Sequence, residues 1–176
     1  FDKIKDQVIT INGLSKGFAM TGWRIGYMGA PAWLAKACDK LQSQYTSGTS
    51  SISQRAAIAA VNSSAADIKY MVETFAKRRE LMYDRLTKVP GFNMQKPDGT
   101  FYMFIEVSEL IGKKTDDEVI NSSYDLSMYL LNKGLVSSVP GEAFGLPGYI
   151  RFSFAASTEV LEEACNRVAA AIEKLS

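Results

Sequence analysis

The residues of this 176-residue chain with the clearest chemical capacity are one lysine and two arginines. Lys16 lies in a loop between Ser15 and Gly17, and Arg24 follows it along the chain. A lysine amine can act as a nucleophile and carry protons. The planar guanidinium of an arginine, such as Arg24 or Arg151, can hold two oxygens of a phosphate or a carboxylate. Taken alone, however, such side chains are usually solvated, so spacing by itself does not establish a site.

The composition excludes several classes of chemistry. The chain has no histidine, so it supplies neither a Ser-His-Asp or Cys-His nucleophile system nor a His-ligated zinc site. The two cysteines, Cys38 and Cys165, lie far apart in helix-like segments, which predicts buried free thiols rather than a disulfide or a metal site. With 20 Lys and Arg against 19 Asp and Glu, the net charge of +1 provides no basic field for nucleic acid. We therefore expect a globular protein without a metal or a nucleic-acid partner.

The sequence also gives an expectation about location. No apolar run approaches the length that crosses a bilayer. The first residues resemble neither a signal peptide nor a transit peptide. We therefore expect a cytoplasmic protein with no membrane partner.

Two short strands are predicted on either side of Lys16. Residues 8–11 are rich in β-branched side chains and are followed by an Asn-Gly turn signal, and residues 23–29 form the second strand, with Arg24 near its start. The two strands could pair antiparallel. This arrangement places Lys16 in the connecting loop.

The rest of the chain alternates helical and strand patterns, which predicts an α/β fold. In the strand over 149–154, Ile150, Phe152 and Phe154 share one face, so Arg151 lies on the opposite face. We expect three parts: the end of an α/β domain over 1–65, a connecting helix over 66–90, and a small α+β domain over 91–176. The predicted helices cover 31–45, 52–61, 65–89, 123–132 and 157–175, and the other predicted strands cover 101–107 and 135–139.

Three motifs, spread over most of the chain, resemble those of a known family. The string GLSKGFAMTGWRIGY at 13–27 closely resembles the lysine signature of class I/II aminotransferases, the pyridoxal-phosphate enzymes of the aspartate aminotransferase fold. PDGTFY at 97–102 looks like the start of the family's small-domain sheet. PGEAFG at 140–145, followed by YIRFS at 149–153, looks like its substrate-carboxylate segment. The resemblance implies the C-terminal part of the aspartate-aminotransferase-like fold, from the end of the large cofactor domain to the small domain.

The resemblance assigns roles to four residues. Lys16 matches the catalytic lysine, which binds the aldehyde of pyridoxal 5'-phosphate covalently and moves a proton at the substrate α-carbon. Arg24 matches an arginine that contacts the cofactor phosphate. Gly13 matches a position where many family members have a phosphate-binding serine, so only its backbone can contribute here. Arg151 matches the arginine that holds the substrate α-carboxylate in a two-point ion pair.

The resemblance also implies a reaction and a larger parent protein. The reaction is transfer of an amino group between an L-amino acid and a 2-oxo acid. The sequence AMTGWR at 19–24 favours aspartate with 2-oxoglutarate, while aromatic and alanine-type amino acids stay open as substrates. The stretch 45–50 resembles a loop that approaches the neighbouring subunit's site in family dimers, so we expect a homodimer at full length. The missing upstream half would supply the carboxylate that pairs with the pyridine nitrogen. We therefore expect this chain alone to be inactive.

Two other functions stay open at this level. A carbon–sulfur lyase, or a synthase acting at Cβ or Cγ, would carry much the same lysine string. So would an aminotransferase-like effector domain of a transcriptional regulator. Reaction products would identify the lyase, and a winged-helix stretch encoded upstream would identify the regulator.

Overall fold

The chain divides into two compact units, which are described separately. The computed structural model describes residues 3–115 and 118–176, so Phe1 and Asp2, which begin the first predicted domain, lie outside the described residues. Unit 1 is Phe1–Lys69 and unit 2 is Tyr70–Ser176. The sequence-based division at 1–65, 66–90 and 91–176 remains a proposal.

Unit 1 contains a two-stranded ribbon and two helices. The strands pair antiparallel, as predicted, with Thr10 opposite Gly29 and Gly13 opposite Gly26. At Gly26 an added Cβ would lie 2.9 Å from the carbonyl oxygen of Asn12, so the close approach of the two strands depends on glycine there. The elements are β1 (Thr10–Gly13), β2 (Gly26–Gly29), α1 (Ala32–Tyr45), α2 (Ser51–Val61) and the first residues of α3 (Ala65–Leu86).

Both strands of the ribbon differ in extent from the prediction. The prediction of strand over 23–29 was wrong for 23–25, because Thr21–Trp23 forms a short 3-10 helix. Arg24 follows in a left-handed conformation with φ 52°, which is incompatible with an extended strand. Arg24 therefore precedes β2 instead of lying within it. The first strand begins at Thr10, two residues later than predicted.

The helices of unit 1 have little internal core. Among its described residues, the buried apolar side chains are Leu14 and Met20. Helix α1 has no buried residue, and its Trp33 and Tyr45 are 71% and 81% exposed. Single exposed apolar residues are common on soluble proteins, but a helix with no buried residue gains little from packing within its own unit. Packing inside unit 1 therefore contributes little to its stability.

Unit 2 contains a three-stranded antiparallel sheet in the order β3-β5-β4. Phe104 lies opposite Arg151, and Val139 pairs with Arg151 from the other side. The predicted helices and the strands around Phe104 and Arg151 are confirmed, with small shifts at their ends. The elements, after the remainder of α3, are β3 (Tyr102–Glu106), α4 (Ser123–Gly134), β4 (Val139–Pro140), β5 (Tyr149–Ser153) and α5 (Thr158–Ile172).

One face of this sheet packs into the core of unit 2. Met103 and Ile105 from β3, with Ile150 and Phe152 from β5, are at most 4% exposed and pack with α4, α5 and the end of α3. Ser157 caps α5, because its hydroxyl accepts a hydrogen bond from the Val160 amide at 3.4 Å. The opposite face, which we call the open face, carries Arg151. The core therefore fixes the strand on which Arg151 lies.

The strand predicted over 135–139 was largely wrong. Leu135 has φ 55° and ends α4, and the amide of Val136 donates to the carbonyl of Leu130 at 3.1 Å. These residues satisfy the end of the helix, so only Val139–Pro140 joins the sheet. The helix predicted over 123–132 extends two residues further, since Gly134 is the last helical residue.

The two cysteines differ in exposure. Cys165 is buried in the core of unit 2, and desolvation by burial raises the pKa of its thiol to about 11. Cys38 is exposed. The prediction of two buried thiols was therefore wrong for Cys38, because its helix, α1, has no buried face within unit 1.

We expect one thiol per chain to react with a thiol-specific reagent near pH 8 in the folded 176-residue chain. The thiolate is the reactive form, and the Cys165 thiol is both buried and protonated at that pH. A second equivalent should react only after unfolding in guanidinium. Peptide mass spectrometry would locate the label, and Cys38→Ser should lower the native count to zero. Labelling of Cys165 at the same rate as Cys38 in the folded chain would contradict this assignment.

Candidate functional site

Lys16 lies in the loop between β1 and β2, and two buried side chains, one on each side of Lys16, anchor this part of the loop. Leu14 is 2% exposed and Met20 is 9% exposed. The Leu14 carbonyl accepts hydrogen bonds from the amides of Phe18 and Met20, both at 3.3 Å, and the Lys16 carbonyl accepts one from Ala19 at 3.2 Å. The side chain of Lys16 is exposed. A fixed backbone therefore presents an exposed primary amine.

Local hydrogen bonds define the backbone around Arg24. Its Nη1 donates to the carbonyl of Thr21 at 2.9 Å, and its side chain is exposed. The buried Ser53 of α2 donates its hydroxyl to the carbonyl of Trp23 at 2.8 Å, which joins α2 to this loop. A left-handed backbone at a non-glycine residue costs roughly 1 kcal/mol or more and is concentrated at binding sites. The left-handed conformation presents the exposed Arg24 side chain beside the Lys16 loop, and its binding role stays a prediction.

Gly13 ends β1, and its surroundings do not require glycine. An added Cβ would lie 3.9 Å from the carbonyl oxygen of Ile25, an ordinary contact distance. The Gly13 amide donates to Oδ1 of Asn12 at 2.7 Å. A side chain such as serine would fit at this position. Because the chain has glycine there, only the backbone of Gly13 can contact a ligand.

Arg151 lies on the open face of the sheet in unit 2, among aromatic rings. Its Cζ is 4.1 Å from the ring centroid of Tyr102 and 4.6 Å from that of Phe144. Phe104 stacks on Tyr149 with centroids 5.0 Å apart. These five side chains line a cavity of about 660 Å³. The half-buried guanidinium therefore faces a space large enough for a small carboxylate ligand.

Ion pairs hold another wall of this cavity against α3. An Arg79 guanidinium nitrogen lies 3.0 Å from Oε1 of Glu80, and another donates to the Pro97 carbonyl at 3.1 Å. Lys96 forms an ion pair with Oε2 of Glu80. The hydrogen bond from Lys96, followed by that from Arg79, lowers the pKa of the Glu80 carboxyl. The Glu80 carboxylate thereby connects α3 to the loop that carries Pro97.

A buried serine positions the 3-10 helix Gly141–Phe144, which carries Phe144 to Arg151. Ser123 is fully buried; its hydroxyl donates to Oε1 of Glu142 at 2.7 Å and accepts from the Gly148 amide at 2.9 Å. Gly141 lies so close to this loop that an added Cβ would overlap the carbonyl oxygen of Leu146. The placement of Phe144 thus depends on contacts distant from it in sequence.

We expect Gly141→Ala to lower the free energy of unfolding of unit 2 by about 1–3 kcal/mol, because backbone atoms occupy the space of the new methyl group. Urea unfolding followed by circular dichroism would measure the change. Gly99→Ala is the matched control, since an added Cβ at Gly99 meets no atom within 4 Å. Equal unfolding midpoints for the two variants would contradict the packing argument.

The loop over 45–50, which the sequence associated with a neighbouring subunit, lines a second cavity of about 430 Å³ within unit 1. Ser47 has φ 63° and Gly48 has φ 144°. Gly26 and Tyr27 of β2 line the same cavity. The association with a second subunit stays a prediction.

The part of the chain that the structure describes contains neither a metal-binding cluster nor a membrane-spanning helix. Over residues 3–115 and 118–176, no cluster of three or more histidine, cysteine or acidic side chains could hold a metal ion. In the same residues, no helix combines the length and apolar composition that crossing a membrane requires.

The four predicted site residues fall in both units. Gly13, Lys16 and Arg24 lie on or beside one loop of unit 1, and Arg151 lies on the sheet of unit 2. Sequence reasoning missed the aromatic neighbours of Arg151. The alternation along β3 was a usable signal for Tyr102, which lies on the same face of the sheet as Arg151, but no local pattern indicated the contact from Phe144.

Comparisons with known proteins match nearly the whole chain. The family model described as aminotransferase class I and II matches residues 2–168. A probable aspartate/prephenate aminotransferase of Rickettsia bellii is 47% identical over 166 residues, which is 94% of this chain and 42% of that protein. The crystal structure of the aspartate aminotransferase from Rhizobium meliloti matches with a TM-score of 0.95 and 42% identity, covering 100% of this chain and 44% of that one.

A more distant structure shows how widely this fold is used. The aromatic aminotransferase from Pyrococcus horikoshii matches with a TM-score of 0.87 and 33% identity, over 98% of this chain and 45% of that one. This chain thus spans less than half the length of each of these relatives. The fold prediction is confirmed, including the expectation of a C-terminal portion.

Proposed function

Because this chain belongs to the class I and II aminotransferase family, we propose that it carries the catalytic lysine and the substrate-binding arginine of a pyridoxal-phosphate-dependent aminotransferase. The observation that carries the proposal is the anchored loop that presents the exposed Lys16 amine, with Arg24 at its other end. The proposed reaction transfers an amino group from an L-amino acid to a 2-oxo acid. Aspartate with 2-oxoglutarate is the favoured pair.

The side chains on this loop fit pyridoxal 5'-phosphate by their chemistry. Lys16 provides the primary amine that an aldehyde requires, and Arg24 provides a permanent charge with several N–H donors for a phosphate. Both side chains are exposed in the chain. When bound, the cofactor supplies the aldehyde and an electron-withdrawing ring. The backbone of Gly13 is the remaining proposed contact.

Each residue has a distinct task in the proposed reaction. Nζ of Lys16 holds the cofactor covalently and, when it is released, moves a proton at the substrate α-carbon. Arg24 holds the phosphate and so fixes the position of the cofactor. Arg151 binds the substrate α-carboxylate at two points, which orients the C–H bond that must break. The proposed roles therefore fall on residues of both units.

We assign the activity to a longer, homodimeric protein. The chain spans 42% of the Rickettsia relative, and helix α1 has no buried residue within unit 1, which supports further packing partners. The 176-residue chain alone is expected to be inactive because the proposed pyridine-nitrogen carboxylate lies upstream. Cytoplasmic location stays a sequence-based prediction.

Product analysis tests the function. The full-length protein is given aspartate, 2-oxoglutarate and pyridoxal phosphate, and we expect oxaloacetate and glutamate in equal amounts. Release of ammonia or a thiol without a new amino acid would support the lyase alternative and contradict the proposal. The 176-residue chain, assayed in parallel, should show no turnover, and substantial turnover would contradict its proposed incompleteness.

A further inference from the structure

The two rings near Arg151 reach it from opposite neighbours of β5. Tyr102 belongs to β3, and Phe144 follows β4; these strands flank β5 in the sheet. The guanidinium carbon lies over both rings, at 4.1 Å from the Tyr102 centroid and 4.6 Å from the Phe144 centroid. Both distances are well within the range of a favourable cation–π contact.

This placement restricts how the guanidinium can turn. An arginine side chain is long and flexible, and ordering it on binding a ligand costs conformational entropy. A planar guanidinium that lies over aromatic faces keeps its N–H donors at the edge of the plane, where a carboxylate can accept two of them. The rings therefore reduce the cost of forming a two-point ion pair.

The rings are themselves held by other contacts. Phe144 meets Phe104 edge to face with centroids 6.0 Å apart, and Phe104 stacks on Tyr149. Ser123 fixes the 3-10 helix of Phe144 through Glu142, at 2.7 Å. The Phe144 ring that contacts Arg151 is thus part of a cluster with Phe104 and Tyr149.

We infer that Tyr102 and Phe144 are positioning residues, which hold the guanidinium of Arg151 in the orientation that receives a carboxylate. The role in substrate binding rests on the proposed function, whereas the restraint on Arg151 does not. Tyr102 and Phe144 thus act on substrate binding through Arg151, without contacting the reacting atoms themselves.

A spectroscopic experiment tests the restraint in the 176-residue chain. The NMR signal of the Arg151 Hε proton is assigned by its disappearance in Arg151→Lys. Ring currents should place this signal upfield of the Hε signals of exposed arginines. Tyr102→Leu and Phe144→Leu should each move it downfield, Tyr102→Phe should retain the shift, and the exposed Tyr70→Leu should leave it unchanged. Folding of each variant is checked by circular dichroism. An Arg151 resonance that neither leucine variant moves would overturn the inference.

A kinetic experiment on the full-length protein tests the consequence for substrate. For Tyr102→Leu and for Phe144→Leu we expect KM for aspartate to rise about fivefold, with a smaller change in kcat, because weaker carboxylate binding acts mainly on KM. Tyr102→Phe should restore the wild-type KM, since the ring remains. An unchanged KM in both leucine variants of an active enzyme would overturn the positioning role.

The two experiments separate this inference from the proposed function. If wild-type protein transaminates and the leucine variants match it in KM, the positioning role fails while the function stands. If wild-type protein shows no transamination, the proposed function fails, and the Arg151 resonance still decides whether the rings restrain the guanidinium.

Discussion

Lys16→Arg in the full-length protein is expected to lower kcat by ~10⁴-fold or more, the largest effect that the structure implies. Arginine preserves the positive charge and the length of the side chain. Its guanidinium, however, remains protonated in proteins, so it neither attacks an aldehyde nor accepts a proton from carbon. Steady-state turnover of aspartate and 2-oxoglutarate measures the effect.

The fold should tolerate this substitution. Lys16 is exposed, and the hydrogen bonds that shape its loop come from the backbone, so its replacement should change the free energy of unfolding by less than about 0.5 kcal/mol. Lys36→Arg, at an exposed position of α1, is the matched control and should retain activity. A Lys16→Arg variant with kcat within tenfold of wild type would contradict the assignment of the catalytic amine.

The second large effect is expected at Arg151, the proposed substrate-binding arginine. Arg151→Lys should raise KM for aspartate by roughly 100-fold, because the point charge of lysine cannot form two parallel hydrogen bonds with one carboxylate, and each such bond to a charged group contributes about 1.5–3 kcal/mol. A fall in kcat should accompany it, since the α-carbon is less well oriented.

A surface arginine provides the control for this change. Arg85 pairs with Glu162 at 3.3 Å, with both side chains more than two-fifths exposed. Arg85→Lys should leave KM unchanged, because exposed ion pairs of this kind contribute little. If the Arg151 and Arg85 variants gave the same KM, Arg151 would not be the group that binds the carboxylate.

Local patterns in the sequence were sufficient to predict the elements that present the site. Apolar alternation placed Arg151 opposite Ile150 and Phe152, and the structure confirms this because those two side chains are buried in the core. Turn signals between β-branched runs predicted the loop of Lys16 and the antiparallel pairing around it. Such features depend on residues that are close in sequence, so the sequence of one chain is enough to predict them.

Features that depend on distant contacts were not predictable. The left-handed backbone of Arg24 is held within a loop that Ser53 joins to α2, and strand propensity alone gave the wrong conformation there. The sequence predicted the helix that carries Cys38, but it could not show whether anything covers that helix, and the thiol is exposed. The contact of Phe144 with Arg151 likewise depends on the path of the loop fixed by Ser123.

The central claim is that Nζ of Lys16 forms a covalent bond with an aldehyde cofactor. The most direct measurement is to incubate the full-length protein with pyridoxal phosphate, reduce it with borohydride, digest it and identify the labelled peptide by mass spectrometry. We predict a single phosphopyridoxyl group on Lys16, within the peptide that follows β1, and no label there in Lys16→Arg. A labelled peptide elsewhere, with Lys16 unmodified, would contradict the claim.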